Sequence, residues 1–456
     1  MAINHKQKKQ SASLKTRIII RTNGLTDLLG NGNAKVVASM LIMGMGQLLY
    51  GQWVKGMLYL LLQIAGIFFF IRYGASMILG FITLGTVEGN AWHGIEGDNS
   101  VTMLITGLLA IIVLVMYFAL YLSNIKDVYD TQKRIASGRK RNGFIDDMRE
   151  LADKKLYKTV LFIPIIGVCI FSILPIVFMI LVAFTDYGGA TVPPALVSWT
   201  GFESFKRVLS LGTFAPTFIK IFSWNIVWAV LATAFGYLGG LGLALLFNKE
   251  CVKGKVFWRA FPILAYAVPG FISLIGFKFM FAAGGPINQM IVKGGGDVVL
   301  FLGLNSTWLS RGIGLLVSTW LTVPTSMLLA TGILANINKD TFEAAEIDGA
   351  GPLKRFIAIT LPFVLFATTP VLITNFMINF NNFGIFFFLR GGFISEGYFL
   401  ASDTDLLINW LYRLSIDNNY YSIGAVISLI IFMITSALSL NVYMRSDAYR
   451  KEDTYR

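Results

Sequence analysis

Apolar runs of about twenty residues recur along this chain, and they restrict its fold more than any other feature. A helix of about twenty residues crosses the roughly 30 Å hydrocarbon core of a bilayer. Inside that core each backbone N–H and C=O must find its partner within the protein, a condition a helix meets by itself. Eight such runs are predicted, near residues 54–72, 101–122, 158–184, 219–247, 257–282, 312–335, 357–380 and 421–444. The expected fold is therefore an all-α polytopic membrane protein. Two further stretches, Val36–Tyr50 and Ala75–Thr86, are apolar but short, and are expected to be interfacial or re-entrant pieces. Composition agrees: 14% of residues are charged, against about a quarter in soluble domains.

A net charge of +13 raises the question of nucleic acid. Its distribution answers it. With the N-terminus placed in the cytoplasm, 29 of the 38 lysines and arginines fall on the cytoplasmic side of the eight runs. Such asymmetry is how positive charge orients a membrane protein, and it needs no nucleic acid. The densest stretch, Lys126–Lys158, reads as a solvated anchoring face. Cys169 and Cys251 are far apart and read as free thiols, and His5 and His93 are too few for a metal site. Met1–Asn33 is polar and basic, without the apolar core of a signal peptide.

The stretch EAAEIDGAGPLKRFIAITLP, Glu343 to Pro362, interrupts this apolar chain with charge, glycine and proline. Asp340 is predicted to cap a short helix, with Glu343 three residues on. Gly349 suits the left-handed residue that ends a helix, and Pro352 the first turn of the next. The expected product is a helix, a tight turn and a second helix on the cytoplasmic side. A capped connector and a docking handle are both consistent with it, and its small residues would let a partner approach closely.

Polar residues also lie inside the apolar runs. Ser318, Thr322 and Thr325 are spaced by four and three, as are Asn375, Asn379 and Asn382, so each set shares one helical face. Uncharged amides and hydroxyls suit a neutral, hydroxyl-rich ligand; they also bond helices together. Both readings stay open on spacing alone. A secondary transporter would need intramembrane acids or bases. Lys278, near one end of the fifth run, reads as a snorkelling side chain. The chain lacks a Gly-x4-Gly-Lys-Ser/Thr phosphate loop and any paired nucleophile and base, so an enzyme is not expected.

Glu343-Ala344-Ala345, Gly349-Ala350 and Ile359-Thr360-Leu361-Pro362 together resemble the EAA loop of ABC importer permeases. "NFNNF" at 379–383, "TDLLINWLYR" at 404–413 and "YAVPGFISL" at 266–274 are similar to the maltose/maltodextrin type of that family. The resemblance implies a type I ABC importer permease fold in a bacterial plasma membrane, with both termini cytoplasmic. It implies that Glu343, Ala344, Ala345, Asp348, Gly349 and Ala350 contact a cytoplasmic ATPase. Sugar-binding positions carried over by motif are Ser318, Leu321, Thr322, Thr325, Asn375, Ile378, Asn379 and Asn382. Thr322, Thr325 and Ile378 stand where the family pattern has glycine, tyrosine and phenylalanine, so the surface on which a sugar stacks differs. The implied partners are a second, different permease subunit, two copies of the ATPase, which hold ATP and Mg, and an extracellular sugar-binding protein. No cofactor is expected on this chain itself. The short loop at about 185–218, together with "GQLLYGQWVKG", resembles Gram-positive forms, whose binding protein is a lipoprotein. The expected organisation is an N-terminal segment, 1–53; two spans and a basic loop, 54–157; a six-span core, 158–444, carrying the EAA loop at 340–362; and a tail, 445–456. The expected function is import of maltodextrin-like oligosaccharides, with another neutral oligosaccharide, such as a galactan fragment, as the alternative.

Overall fold

The computed structural model describes residues 32–89, 93, 95–210, 212, 214–249 and 251–445. Most of the expected N-terminal segment and of the tail lies outside these. The described residues are helical and hold no β-strand. They form two compact units, Met1–Leu181 with Ala190–Trp199, and Val182–Gly189 with Thr200–Arg456. Among the described residues seven helices are long and apolar enough to cross a membrane, and a bent pair makes an eighth crossing if it is one span.

The first unit begins with two short helices, α1 (Ala34–Leu41) and α2 (Met45–Leu49). They are followed by α3 (Trp53–Thr83), α4 (Ser100–Ala136), the short α5 (Phe144–Ala152) and α6 (Thr159–Val182). The Asn33 side chain accepts from the backbone of Lys35 and Val36 and so starts α1. Gly44, at φ +86°, turns the chain from α1 into α2. Neither helix spans. Ser39 and Gln47 are fully buried and hydrogen-bond with Asn124 of α4, while Val36 packs on Ile125, Val128 and Tyr129. The short 36–50 stretch is thus fastened by a satisfied polar network to the polar extension of α4. The second short stretch differs from expectation: residues 75–83 are no separate piece but continue the first span through a single π turn, Phe70–Gly74. Nothing in the sequence there breaks the helix before Leu84, which takes φ +56°. This half packs on α4, where Gly107 leaves room for Phe81.

In the second unit α7 (Glu203–Leu209) precedes α8 (Phe214–Asn248), α9 (Lys255–Ala267), α10 (Gly270–Met280), α11 (Pro286–Lys293) and α12 (Thr307–Leu334). Then come α13 (Lys339–Ile347), α14 (Pro352–Arg355), α15 (Leu361–Phe380), α16 (Gly384–Arg390), α17 (Leu407–Tyr412) and α18 (Tyr421–Arg445). The central helix is α8, packed along α12 and against α15. Lipid tails are as apolar as leucine, so close packing rather than water holds such helices together. Gly236, Gly239 and Gly240 of α8 provide that closeness against Thr322, Val323 and Ser326 of α12. Two apolar clusters flank the seam. One joins Tyr237, Leu241, Met327 and Val364. The other joins Trp224, Trp228, Val317 and Phe386.

The fifth run is not one straight helix: α9 and α10 meet at 95°. Val268 is extended and Pro269 follows it, as the clash of a proline ring with the preceding residue dictates. Lys278 is exposed in the last turn of α10. At the end of α16, Arg390 is buried and spends its guanidinium on Asp403, Thr404 and the carbonyls of Gly303 and Leu304. A buried charge persists only when paired and hydrogen-bonded in this way.

Candidate functional site

The elbow formed by α13 and α14 is built from its caps. Asn338, not Asp340, starts α13: its side chain accepts from the backbone of Asp340 at 3.0 Å. The helix therefore begins one residue before Asp340. At the other end the N–H of Gly349 bonds Glu346 O and that of Ala350 bonds Ala345 O. Gly349 has φ +72°, the conformation in which glycine lacks the Cβ penalty. Gly351 and then Pro352 open α14, where the missing proline N–H is no loss. A π turn, Phe356–Thr360, joins α14 to the spanning α15. Arg355 pairs with Glu346 at 2.8 Å and ties the two arms; a pair this exposed adds little stability, but it fixes the angle.

Glu343, Ala344, Asp348 and Gly349 are exposed on this elbow, and Ala345 and Ala350 are half-buried. No heavy atom lies within 4 Å of where a Cβ on Gly349 would sit. The six expected coupling positions are thus together on one projecting turn. Two apolar neighbours join them that the motif did not name: Ile347, 87% exposed, and Leu353, 71% exposed. Their signal was present in the sequence, as two aliphatic residues within an otherwise polar turn.

The eight expected sugar positions separate into two groups. Ser318 is buried, and Leu321 packs against the cluster around Trp228. The Thr322 hydroxyl donates to Ser318 O at 2.6 Å, and its methyl side fills the space that a side chain at Gly236 would take. Asn379 is buried and donates to Thr233 Oγ1 of α8 at 3.0 Å. The Asn382 side chain accepts from the backbone of Ile385 at 3.0 Å, holding the entry to α16. These five face the chain's own packing. Thr322 and Asn379 meet there through α8, at Gly236 and Thr233, two residues that the spacing of the asparagines and threonines gave no reason to single out.

The other three are open. Thr325 is exposed, with its hydroxyl turned back to Thr322 O at 2.9 Å. Ile378 is 59% exposed. Asn375 is half-buried and makes no side-chain hydrogen bond among the described residues. This arrangement can offer an amide, and a hydroxyl oxygen that still accepts, beside an apolar side chain. It contains no titratable group.

Comparison with known proteins places this geometry. Residues 236–446, the part that holds α12, the elbow and α15, match the family described as the binding-protein-dependent transport system inner membrane component. The maltodextrin transport system permease protein MdxF of Bacillus subtilis is 32% identical over 431 residues, covering 91% of this chain and 95% of the relative. The galactooligosaccharides transport system permease protein GanP of the same organism is 31% identical, covering 90% and 97%. Among solved structures, a bacterial ABC transporter involved in the import of alginate superposes with a TM-score of 0.54 at 20% identity, over 66% of this chain and 97% of that one, a likeness of fold. The chain belongs to the family of binding-protein-dependent transport system inner membrane components, as a membrane-spanning permease subunit of an ABC importer and not an enzyme.

Proposed function

We propose that this chain carries maltodextrin-like oligosaccharides across a bacterial plasma membrane, with both termini in the cytoplasm. One observation carries the reading: Thr325, Asn375 and Ile378 are open and uncharged in a chain so similar to a maltodextrin permease. Amide and hydroxyl groups exchange hydrogen bonds with sugar hydroxyls, and an aliphatic side chain covers the apolar face of a ring. Ser318, Leu321, Thr322, Asn379 and Asn382 form the wall behind them. A second, different permease subunit closes the pathway. Two copies of a cytoplasmic ATPase hold ATP and Mg, and this chain holds no cofactor. The ATPase grips Glu343, Ala344, Ala345, Asp348, Gly349 and Ala350, and an extracellular sugar-binding lipoprotein delivers the substrate. Import then follows from differential affinity: ATP-bound and ATP-free ATPase favour different states of the spans. A galactooligosaccharide is the second reading, favoured by the kinship with GanP.

The test is uptake by the reconstituted complex, with linear α-glucan and β-galactan oligosaccharides in competition. Asn375→Ala should lower uptake at unchanged complex yield, by roughly threefold to tenfold, the value of one hydrogen bond. Asn379→Ala, which breaks the bond to Thr233, should lower yield and uptake together. Uptake of neither sugar overturns the substrate reading; full uptake by Asn375→Ala removes that residue from the site.

A further inference from the structure

The amphipathic helix α5 is turned the opposite way from a helix on a soluble protein. Phe144, Ile145, Met148, Leu151 and Ala152 repeat at the spacing of one helical face. That face points outward: Ile145 is 67% exposed and Met148 52% exposed. The polar side is the one tied to the protein. Asp147 pairs with Lys55 at 3.0 Å, and Glu150 lies between Lys155 and Arg134. Asn142 donates to both carboxylates. Asp146 accepts from Gly143 N and caps the helix. A soluble protein would bury the apolar face and leave the polar one to water. The apolar face here needs an apolar neighbour.

The attachments say which neighbour. Lys55 lies in the first turn of the spanning α3, and the helix that runs on into α6 starts at Leu156, four residues after α5 ends. Helix α5 is therefore pinned at the level where two spans enter the bilayer. Leu156 and Tyr157, in the first turn of the helix that runs on into α6, continue the exposed apolar surface towards the bilayer. Exposed Arg139 and Lys140 precede α5, and exposed Lys154, next to Asp153, follows it. Cationic flanks and an apolar stripe are what a helix lying in a lipid interface requires. We infer that α5 is an interfacial helix that buries Ile145, Met148 and Leu151 among lipid headgroups, with Arg139, Lys140 and Lys154 on anionic lipid phosphates.

The experiment places an environment-sensitive fluorophore at Met148→Cys, in the assembled complex with Cys169→Ser and Cys251→Ser. Asp146→Cys, exposed on the side of the helix away from Met148, is the control. Both go into nanodiscs of phosphatidylcholine, with and without phosphatidylglycerol, and with brominated lipid as quencher. The expected result is severalfold brighter, blue-shifted emission at 148, quenched by bromolipid and enhanced by phosphatidylglycerol, and none of these at 146. Equal behaviour of the two probes overturns the inference. So does a signal at 148 that ignores the lipid, or one that needs the ATPase subunit present, since a protein surface would then cover the face. The inference does not depend on which substrate the importer carries.

Discussion

Gly349 and Asp405 show how much one residue can be asked to do. Gly349 sits at φ +72° on a projecting turn, with open space where a side chain would point. Gly349→Asp adds a left-handed penalty of roughly 1 kcal/mol, together with a charged side chain on the surface proposed above to meet an ATPase. Uptake should fall while membrane insertion stays normal; uptake beside membrane content decides, and normal uptake removes the coupling role from this position. Asp405 lies between α16 and α17, outside the spans. Burial pushes its carboxyl up to about 6, although Arg413 lies 3.5 Å away and the backbone N–H of Ser402 donates to it. The sign follows from the proton. The folded state holds that proton more tightly than the unfolded chain, so this contribution is complete below about pH 4 and is lost as pH rises through about 6. The shift corresponds to about 3 kcal/mol. Melting temperatures of the complex between pH 4 and 7 should therefore fall less steeply for Asp405→Asn than for the natural chain, and parallel curves would remove Asp405 as the cause.

At the scale of elements, the seam between α8 and α12 depends on the absence of side chains. A Cβ at Gly240 would stand 2.4 Å from Ser326 Cβ and 2.6 Å from Met327 N, which is backbone and cannot swing away. Gly240→Val should cost about 1–3 kcal/mol by overpacking and pry α12, with the elbow that follows it, from the central helix. Gly242, on the same helix, has no atom within 4 Å of its Cβ direction, so Gly242→Ala should be tolerated. Thermal aggregation of the purified complex separates the two. Equal stability of both variants would mean that the seam is looser than its geometry implies. The same seam explains why the helical spacing of Asn375, Asn379 and Asn382 did not make them alike. Asn379 faces Thr233 on α8, Asn382 braces the turn into α16, and only Asn375 keeps its amide free of the described residues.

At the scale of the whole molecule the chain is unfinished by itself. The most apolar window of α6 is only 6% buried within the chain, against 44% for α12, so α6 must be covered by lipid or by another subunit. The elbow likewise projects Ile347 and Leu353 with no cover of their own. The isolated chain should neither hydrolyse ATP nor transport sugar, and should take part in transport only within the assembled complex. ATPase turnover by the purified chain above a mock preparation would contradict its place as a subunit.

The crossings, the basic loops and the elbow were legible in the sequence because each is local. A run of apolar residues, a Gly-Ala-Gly-Pro turn and a cluster of lysines carry their physics within one or two dozen neighbours. The cap of α13 was misplaced by two residues because Asn338 and Asp340 are both good caps, and only the path of the chain chooses between them. The continuity of α3 through residue 83 and the 95° bend at Pro269 were not legible, since an apolar stretch tolerates either a straight or a broken helix until neighbours pack on it. Which polar residues stay open was not legible either. The sequence by itself determined that polar faces exist within the spans. Tertiary structure alone decided that Asn379 is spent on Thr233 and Asn375 is not, because a hydrogen bond between helices depends on which helix lies opposite, and residues 146 positions apart have no local signal of that.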